Sequence, residues 1–299
     1  MKHAVSRTAL AVTLWRARES TRSAPNRLFV DDLARGFLDR RFRWALHLSR
    51  LPWVGGFVPW SLIDGHWAGS RGTVAVRTRY IDDAVTAALG QGLDQVVILG
   101  AGFDSRAYRI PGIARTRVFE VDHPATQAEK KRVVARRLGA LPPHVVFVPI
   151  DFSTHTLEGV MPAAGFHSSA RTFFICEGVT HYLSALDVDA LFRYVVASAP
   201  AGSEMVFTYI HRAMVDGTAA FAGADKTLAI VRRSGEPYTF GFDPAELPAY
   251  LAARRLSLIE DVGATGYRER YLAPIGRGHE PLSEFQRVAL ARIAGKSAA

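Results

Sequence analysis

The stretch Asp94-Gln95-Val96-Val97-Ile98-Leu99-Gly100-Ala101-Gly102 decides the fold class of this 299-residue chain. A short aliphatic run that stops at a glycine pair is typical of a buried parallel strand followed by a tight turn. A second run, Val118-Phe119-Glu120-Val121, ends at Asp122. A glycine turn lets a ligand approach the backbone, and a carboxylate after the next strand can hold ribose hydroxyls. The two runs therefore predict a nucleotide-type site at one edge of a sheet.

Strands and helices alternate along the chain after this turn. The strand candidates are Val96–Leu99, Arg117–Val121, Val145–Pro149, Thr172–Cys176 and Met205–Tyr209. Pro124 suits the first position of a helix, and Ser184 with Asp187 predicts a capping box. A further strand is expected at Leu256–Val262, whereas the tail Phe285–Ile293 fits a strand or a helix. Buried strands joined by crossover helices predict an α/β fold with a doubly wound parallel sheet.

The residues before this sheet have a different pattern. Residues 9–48 have the apolar spacing of helices, and 51–67 combine prolines and glycines with tryptophans. Such a loop fits a packed cap or the wall of an apolar ligand pocket. A helix is expected to open at Arg77 and to run to about Leu89. We therefore expect an N-terminal helical cap over residues 1–70 and one α/β domain over 71–299, with a partly helical insertion at about 211–237.

Composition narrows the functional classes. The net charge is +9, but the arginines are scattered, and Lys130-Lys131-Arg132 falls on a predicted helix whose basic face is expected to be solvated. Nucleic-acid binding is therefore not expected. No apolar run reaches the roughly 18 to 20 residues of a membrane span. The single cysteine, Cys176, excludes a disulfide framework and fits a reducing cytoplasm, and no His/Cys/Asp cluster has metal-ligand spacing.

The glycine turn lacks the third glycine of a dinucleotide fingerprint, because position 105 is serine. A pyrophosphate needs that close approach, so a nucleoside cofactor without phosphates is favoured over NAD or FAD. Glu120 and Asp122 share one face of their strand, so either acid could hold the ribose, with a helix cap as the alternative for Asp122. Asp151-Phe152 could hold a purine or cap a helix. Glu177 ends the fourth strand, where it could meet a cationic ligand group or be a simple loop acid.

Several runs of the chain together resemble one protein family. They are Arg77-Thr78-Arg79-Tyr80-Ile81-Asp82-Asp83, Leu99-Gly100-Ala101-Gly102-Phe103-Asp104-Ser105-Arg106-Ala107-Tyr108-Arg109, Phe119-Glu120-Val121-Asp122-His123-Pro124, Asp151-Phe152 and Glu177-Gly178-Val179-Thr180-His181-Tyr182-Leu183. From about Arg18 to Arg270 the chain resembles the leucine carboxyl methyltransferase-like family. It is more closely similar to the bacterial branch of S-adenosylmethionine-dependent O-methyltransferases, which includes polyketide-tailoring members. The resemblance implies a class I methyltransferase-type, mostly parallel seven-stranded sheet beneath the helical cap.

The resemblance also implies which positions bind S-adenosylmethionine. Gly100 and Gly102 would approach its methionine portion, and Asp122 would bind the ribose. Asp151 and Phe152 would bind the adenine. Glu177 would bind the amino group, and Arg77 or Arg79, of which Arg77 is favoured, would bind the carboxylate. Family members also place a basic residue of the first helix near the cofactor, and Arg18 or Arg22 could serve here.

The acceptor decides whether a catalytic base is needed. Methyl transfer from a sulfonium is an in-line displacement that depends mainly on positioning and exclusion of water. A carboxylate is already ionised at neutral pH and needs no base, whereas a phenol or an alcohol benefits from one. His181 is the first candidate for that base and Tyr182 the second, and a structural histidine is the alternative for His181.

We therefore expect an S-adenosylmethionine-dependent O-methyltransferase that acts on a carboxylate or hydroxyl of a small apolar or peptide-borne acceptor, as in natural-product tailoring. A nucleic-acid methyltransferase is disfavoured because Glu177-Gly178-Val179-Thr180 replaces the Asn/Asp-Pro-Pro-aromatic turn of that class. Ser105 disfavours a nicotinamide-dependent oxidoreductase. A non-catalytic cofactor-binding protein is the third alternative, and the acids at the strand ends argue that binding, at least, is retained.

Overall fold

The structure, a computed structural model, describes residues 7–48, 69–152 and 154–295. Its centre is a seven-stranded sheet in the order β3-β2-β1-β4-β5-β7-β6, in which β7 runs antiparallel to both neighbours. The strands are β1 Gln95–Leu99, β2 Arg117–Asp122, β3 Val145–Pro149, β4 Thr172–Cys176, β5 Glu204–Ile210, β6 Leu256–Val262 and β7 Gln286–Ile293. This confirms the predicted doubly wound, mostly parallel sheet and resolves the tail as a strand. The tryptophan-rich stretch 51–67 lies outside the described residues.

Helices cover both faces of the sheet and the carboxyl edge of its strands. They are α1 Arg7–Glu19, α2 Ala34–Phe37, α3 Arg40–Leu48, α4 Ser70–Gly90, α5 Arg106–Arg109, α6 Pro124–Leu138, α7 Leu157–Ala163, α8 Ala185–Ala197, α9 Arg212–Val215, α10 Ala224–Arg233, α11 Leu247–Ala252 and α12 Ala264–Tyr267. In the part of the chain described, no helix combines the length and the apolar character that crossing a bilayer requires.

The N-terminal helices are shorter than the predicted helical region 9–48, because local capping residues interrupt it. The Asp31 Oδ1 atom accepts a hydrogen bond at 2.9 Å from the N–H of Ala34, the first residue of α2, whose N-cap position is Leu33. The Asp39 Oδ1 atom accepts from the Arg41 and Phe42 amides at 2.9 and 3.0 Å, which starts α3. Each aspartate thus satisfies backbone amides at the start of a new helix, which have no acceptor within the helix itself.

Helix α4 begins at Ser70 rather than at the predicted Arg77. Its first two turns are buried, and a Cβ atom at Gly72 would lie only 2.6 Å from the Pro281 carbonyl oxygen. The glycine therefore lets the helix pack directly on another backbone segment. A glycine inside a helix lowers its intrinsic propensity, so the sequence pattern alone does not show that the helix extends this far.

The core has one layer on each face of the sheet. Side chains that alternate along β1 separate into the two layers, Val97 and Leu99 on one face and Val96 and Ile98 on the other. Two capping predictions at the strand–helix junctions also hold: Ser184 and Asp187 form a reciprocal capping box, and Pro124 occupies the first turn of α6. The sheet thus fixes the positions of the loops at its carboxyl edge.

Candidate functional site

The turn after β1 requires glycine at position 100. Gly100 has a φ of 65° and Gly102 a φ of 41°, a left-handed conformation that other residues avoid. A Cβ atom at Gly100 would lie 2.6 Å from the Val179 side chain. The turn therefore brings bare backbone to the rim of a cavity that Gly100, Ala101 and Gly102 line.

Asp122 faces this turn. One carboxylate oxygen accepts a hydrogen bond from the Gly102 N–H, and the other accepts from the His123 N–H at 2.6 Å. The cap of α6 is instead the His123 ring, whose Nδ1 accepts from the Ala125 N–H at 3.2 Å. The helix-cap alternative for Asp122 is thus wrong, and its carboxylate lies beside the glycine backbone where β1 and β2 end.

Glu120 points into the protein and away from the cavity. Its side chain is fully buried, and its Oε2 atom is 2.8 Å from Lys130 Nζ. Burial raises the pKa of Glu120 to about 7, although the Lys130 charge opposes that rise. This corrects two expectations: Glu120 is buried against Lys130 and does not face the cavity, and Lys130 does not belong to a solvated basic face.

Glu177 lies where β4 ends beside β1, and two arginines hold its two oxygens. Arg77 Nε donates to Oε1 at 2.7 Å, and Arg106 Nη1 donates to Oε2 at 2.7 Å. Burial alone would raise the pKa of Glu177, but the charges of Arg106 and Arg77 outweigh it and hold the pKa well below its usual range. Glu177 is therefore a carboxylate at every physiological pH.

The two arginines considered for the cofactor's carboxylate lie in different surroundings. Arg77 lines the cavity, and its Nη1 donates to Gln286 Oε1 at 3.2 Å. Arg79 Nε donates to Asp83 at 2.8 Å, and its Nη1 donates to the Leu28 carbonyl at 2.9 Å. The structure thus brings Arg77 to Glu177 and turns Arg79 towards the N-terminal segment.

Helix α1 closes the cavity from above. Its contributions to the lining are Thr8, Ala9, Val12, Thr13, Trp15 and Arg16. Arg16 Nη2 donates to the Phe103 carbonyl at 2.5 Å, which ties the helix to the segment that follows the glycine turn. Arg22 instead pairs with Glu280 at 2.8 Å, and Arg18 is not among the lining residues. The basic residue of the first helix that lies at this cavity is therefore Arg16.

A group of aromatic residues forms another part of the cavity wall. The His181 ring packs against Tyr182 at 4.3 Å and against Tyr238 at 4.7 Å between ring centroids, and all three line the cavity. His181 is buried, and its Nδ1 atom has no hydrogen-bond partner among the described residues. Burial, reinforced by the Arg77 charge, lowers the pKa of His181 to about 3, and burial raises the pKa of Tyr182 to about 12. His181 is therefore neutral at pH 7.

Asp151 and Phe152 follow β3 at the same edge of the sheet as Asp122. Register places Pro149, near the end of β3, opposite Asp122. Phe152 is 63% exposed, and neither residue is among those that line the described cavity. Their predicted contact with adenine stays a prediction.

Several residues of the site were not predicted from the sequence. They are Arg16, Asp104, Arg106, Lys130, Tyr238 and Gln286. Asp104 and Arg106 lie in the sequence run quoted above, directly after the glycine turn. They were not chosen as site residues because an acid and a base close together in a loop are usually exposed to solvent. Gln286 begins a strand that periodicity did not identify. Among the described residues, no group of His, Cys, Asp and Glu side chains has the geometry of a metal site.

Comparison with known proteins adds the family context. The family model described as leucine carboxyl methyltransferase matches residues 9–196. A protein of Parafrankia sp. (strain EAN1pec) is 37% identical over 215 residues, which cover 67% of this chain and 62% of the relative. A protein of Bacillus subtilis (strain 168) is 31% identical over 189 residues, covering 63% and 62%. The names of both place them provisionally among S-adenosyl-L-methionine-dependent methyltransferases, and this chain spans less than two thirds of either.

The fold is also similar to a solved structure. The crystal structure of a DUF574 family protein from Streptomyces avermitilis superimposes with a TM-score of 0.56 over 93% of this chain and 96% of that chain, at 14% identity. Such a likeness shows the shared fold alone. The strand order and the antiparallel β7 are those of the class I methyltransferase type that the sequence predicted.

Proposed function

This protein belongs to the leucine carboxyl methyltransferase family, and we propose that it transfers the methyl group of S-adenosylmethionine to an oxygen atom of its acceptor. The observation that carries the proposal is the grouping, at the ends of three adjacent strands, of the glycine turn, the Asp122 carboxylate and the Arg77–Glu177 pair. A ribose with two hydroxyls and an amino-acid end with one charge of each sign match these groups.

Asp122 is not among the residues that line the described cavity, but it contacts the glycine turn that does. Together with the lining residues it fits S-adenosylmethionine by charge and shape. Asp122 would hold the ribose hydroxyls, Glu177 the ammonium group and Arg77 the carboxylate, while the left-handed turn lets the ligand approach Gly100 and Gly102 closely. When bound, the cofactor supplies an electrophilic methyl group on a sulfonium. We further propose that Asp151 and Phe152 bind the adenine, because they follow β3 next to the strand that carries Asp122.

The acceptor that this cavity suits best is a carboxylate of a small or peptide-borne molecule. Neither His181, with a pKa of about 3, nor Tyr182, with a pKa of about 12, would take a proton readily from an alcohol near neutral pH. A carboxylate brings its own negative charge and needs no base. The rings of His181, Tyr182 and Tyr238 would orient an apolar body by packing. The chain's own work is thus to bind, align and exclude water.

A phenol or alcohol acceptor, as in natural-product tailoring, is the second candidate. The unpartnered Nδ1 of buried His181 favours it, because a neutral imidazole nitrogen can accept a hydrogen bond from an acceptor hydroxyl. In either case we propose that α1, α2 and α3 act as a cap, since α1 lines the cavity together with residues at the ends of β1 and β5.

Calorimetric titration with S-adenosylmethionine, S-adenosylhomocysteine and NAD tests the proposed class. We expect both sulfur nucleosides to bind and NAD not to bind. Binding of NAD alone would overturn the proposal. Incubation of the methylated product in mild base then separates the two acceptors, because methyl esters hydrolyse and aryl methyl ethers do not.

Replacing His181 with glutamine distinguishes two roles for this residue, a catalytic base and a side chain that only lines the cavity. If the acceptor is a carboxylate, we expect kcat of His181→Gln to stay within about threefold of the parent between pH 6 and pH 8, because no proton transfer is lost. The measurement is the pH profile of kcat with the acceptor saturating. A loss of about 10²-fold or more would instead assign His181 a proton-transfer role and a hydroxyl acceptor.

A further inference from the structure

Lys130 is a buried charge that the chemistry above does not use. It lies on α6 with 1% of its surface exposed, which is rare for a lysine. Its Nζ atom is 2.8 Å from Glu120 Oε2 and donates to the Ala101 carbonyl at 3.3 Å. The same atom lies 5.8 Å from the centre of the Tyr108 ring. The ammonium group thus joins β2 and α6 to the middle residue of the glycine turn.

The glycine turn is held by hydrogen bonds from several neighbouring groups. The Ala101 N–H donates to the Val121 carbonyl at 3.0 Å, and the Gly102 N–H donates to Asp122. The Ala101 carbonyl accepts from the Asp104 N–H at 2.8 Å and from Lys130 Nζ at 3.3 Å, and Lys130 is the charged one of these two donors. The Ala101 carbonyl and the Gly102 N–H belong to the same peptide group, and each is held by a hydrogen bond. This peptide group therefore cannot rotate without breaking one of these hydrogen bonds.

A buried ion pair is costly to desolvate and could be replaced by apolar side chains with little loss of stability. Its presence is therefore better explained by the geometry that it imposes. We propose that Lys130 is a positioning residue that, with Glu120 as its counter-charge, holds the Ala101 carbonyl and keeps the Gly100–Gly102 turn in the conformation that receives the cofactor. This inference rests on the proposed function, since it takes the turn to be the cofactor site.

Glu120 faces charged and titratable groups from each element around it. These are Lys130 from α6, Asp104 from the loop after the turn and Tyr108 from α5. Burial raises the pKa of Glu120 to about 7 in spite of Lys130, so the ion pair is complete only above neutral pH. We therefore expect the affinity for S-adenosylmethionine to fall as the pH decreases from about 8 to about 6.

The test replaces both partners, so that no charge is left buried alone. For Lys130→Met combined with Glu120→Gln, we expect the KM for S-adenosylmethionine to rise about tenfold while kcat stays within about twofold. Faster hydrogen exchange at the Ala101 and Gly102 amides should accompany this change, and the pH dependence of affinity should be lost relative to the parent. Lys131→Met is the matched control, because the Lys131 Nζ atom lies 4.8 Å from the Phe147 ring instead of at the turn.

The outcomes separate the inference from the proposed function. A folded double variant with parental KM and parental exchange at Ala101 and Gly102 would overturn the inference. If the parent protein binds no S-adenosylmethionine, the proposed function fails, and the exchange rates still decide whether Lys130 holds the turn. Should the double variant not fold, Lys130→Met alone provides the same readouts, because it removes the contact with the Ala101 carbonyl and leaves Glu120, whose pKa burial raises, able to take up a proton.

Discussion

Replacing Asp122 with alanine is expected to weaken the binding of S-adenosylmethionine by about 10²- to 10⁴-fold. The carboxylate would make two charge-assisted hydrogen bonds to the ribose, each contributing roughly 1.5–3 kcal/mol. It also accepts the Gly102 N–H, so its removal releases the turn on which the ligand lies. Calorimetric titration of the folded variant measures the loss directly.

Two further variants sharpen this test. Asp122→Asn keeps the size of the side chain and one oxygen acceptor, so its affinity should fall between those of the parent and the alanine variant. Glu129→Ala removes a carboxylate from the exposed side of α6, where it pairs with Arg132, and should leave the affinity unchanged. Parental affinity in Asp122→Ala would show that the ribose lies elsewhere.

Replacing Arg106 with methionine is expected to lower the free energy of unfolding by about 3–5 kcal/mol, the cost of removing one charged partner from a buried network. The Arg106 side chain is fully buried and pairs with Asp82 at 2.9 Å, Asp104 at 2.5 Å and Glu177 at 2.7 Å. Without the guanidinium, three carboxylates remain close together. Urea unfolding followed by circular dichroism measures the change.

The pH dependence of that loss provides its own check. The pKa values of Asp104 and Glu177 are held below the ordinary carboxyl range against burial, mainly by Arg106. A carboxyl with a depressed pKa in the folded state stabilises the protein above its unfolded pKa and loses that contribution as the pH falls. The difference in the free energy of unfolding between the parent and Arg106→Met should therefore shrink below about pH 4.

The control is Arg193→Met, which removes an exposed ion pair with Asp189. It should lower the free energy of unfolding by less than about 1 kcal/mol at any pH. An equal effect of both variants would contradict the assigned role of Arg106.

The sequence predicted site residues best where a glycine or a carboxylate stands directly at the end of an apolar strand. The glycine turn, Asp122 and Glu177 were identified because each directly follows an apolar strand, and parallel strands gather their ends at one edge. Local pattern could not choose between Glu120 and Asp122, since both share one face of β2. Glu120 is set apart from Asp122 by its ion pair with Lys130. Lys130 lies in a run of basic residues on α6, and that run did not show which side of the helix faces the sheet.

The remaining gaps have the same physical origin. Arg77 and Arg79 are equivalent by local pattern, and only the packing of α4 directs one to Glu177 and the other to Asp83. The early start of α4 depends on backbone contact at Gly72, which no propensity scale contains. Arg16 replaces the expected Arg18 or Arg22 because the rotation of α1 above the cavity is set by tertiary contacts.

The place of β7 in the sheet has a consequence for the order of events during synthesis. β7 follows β6 in the chain, yet it lies between β5 and β6, and β6 pairs with no other strand. A ribosome that has released β6 but not β7 therefore holds a strand with nothing to pair with, an exposed edge of the kind that invites misassociation. Because Gln286 of β7 also contacts Arg77, the hydrogen-bonded group of Arg77, Glu177 and Gln286 is complete only after that strand inserts. The contact between Gln286 and Arg77 should thus be among the later ones to form during synthesis.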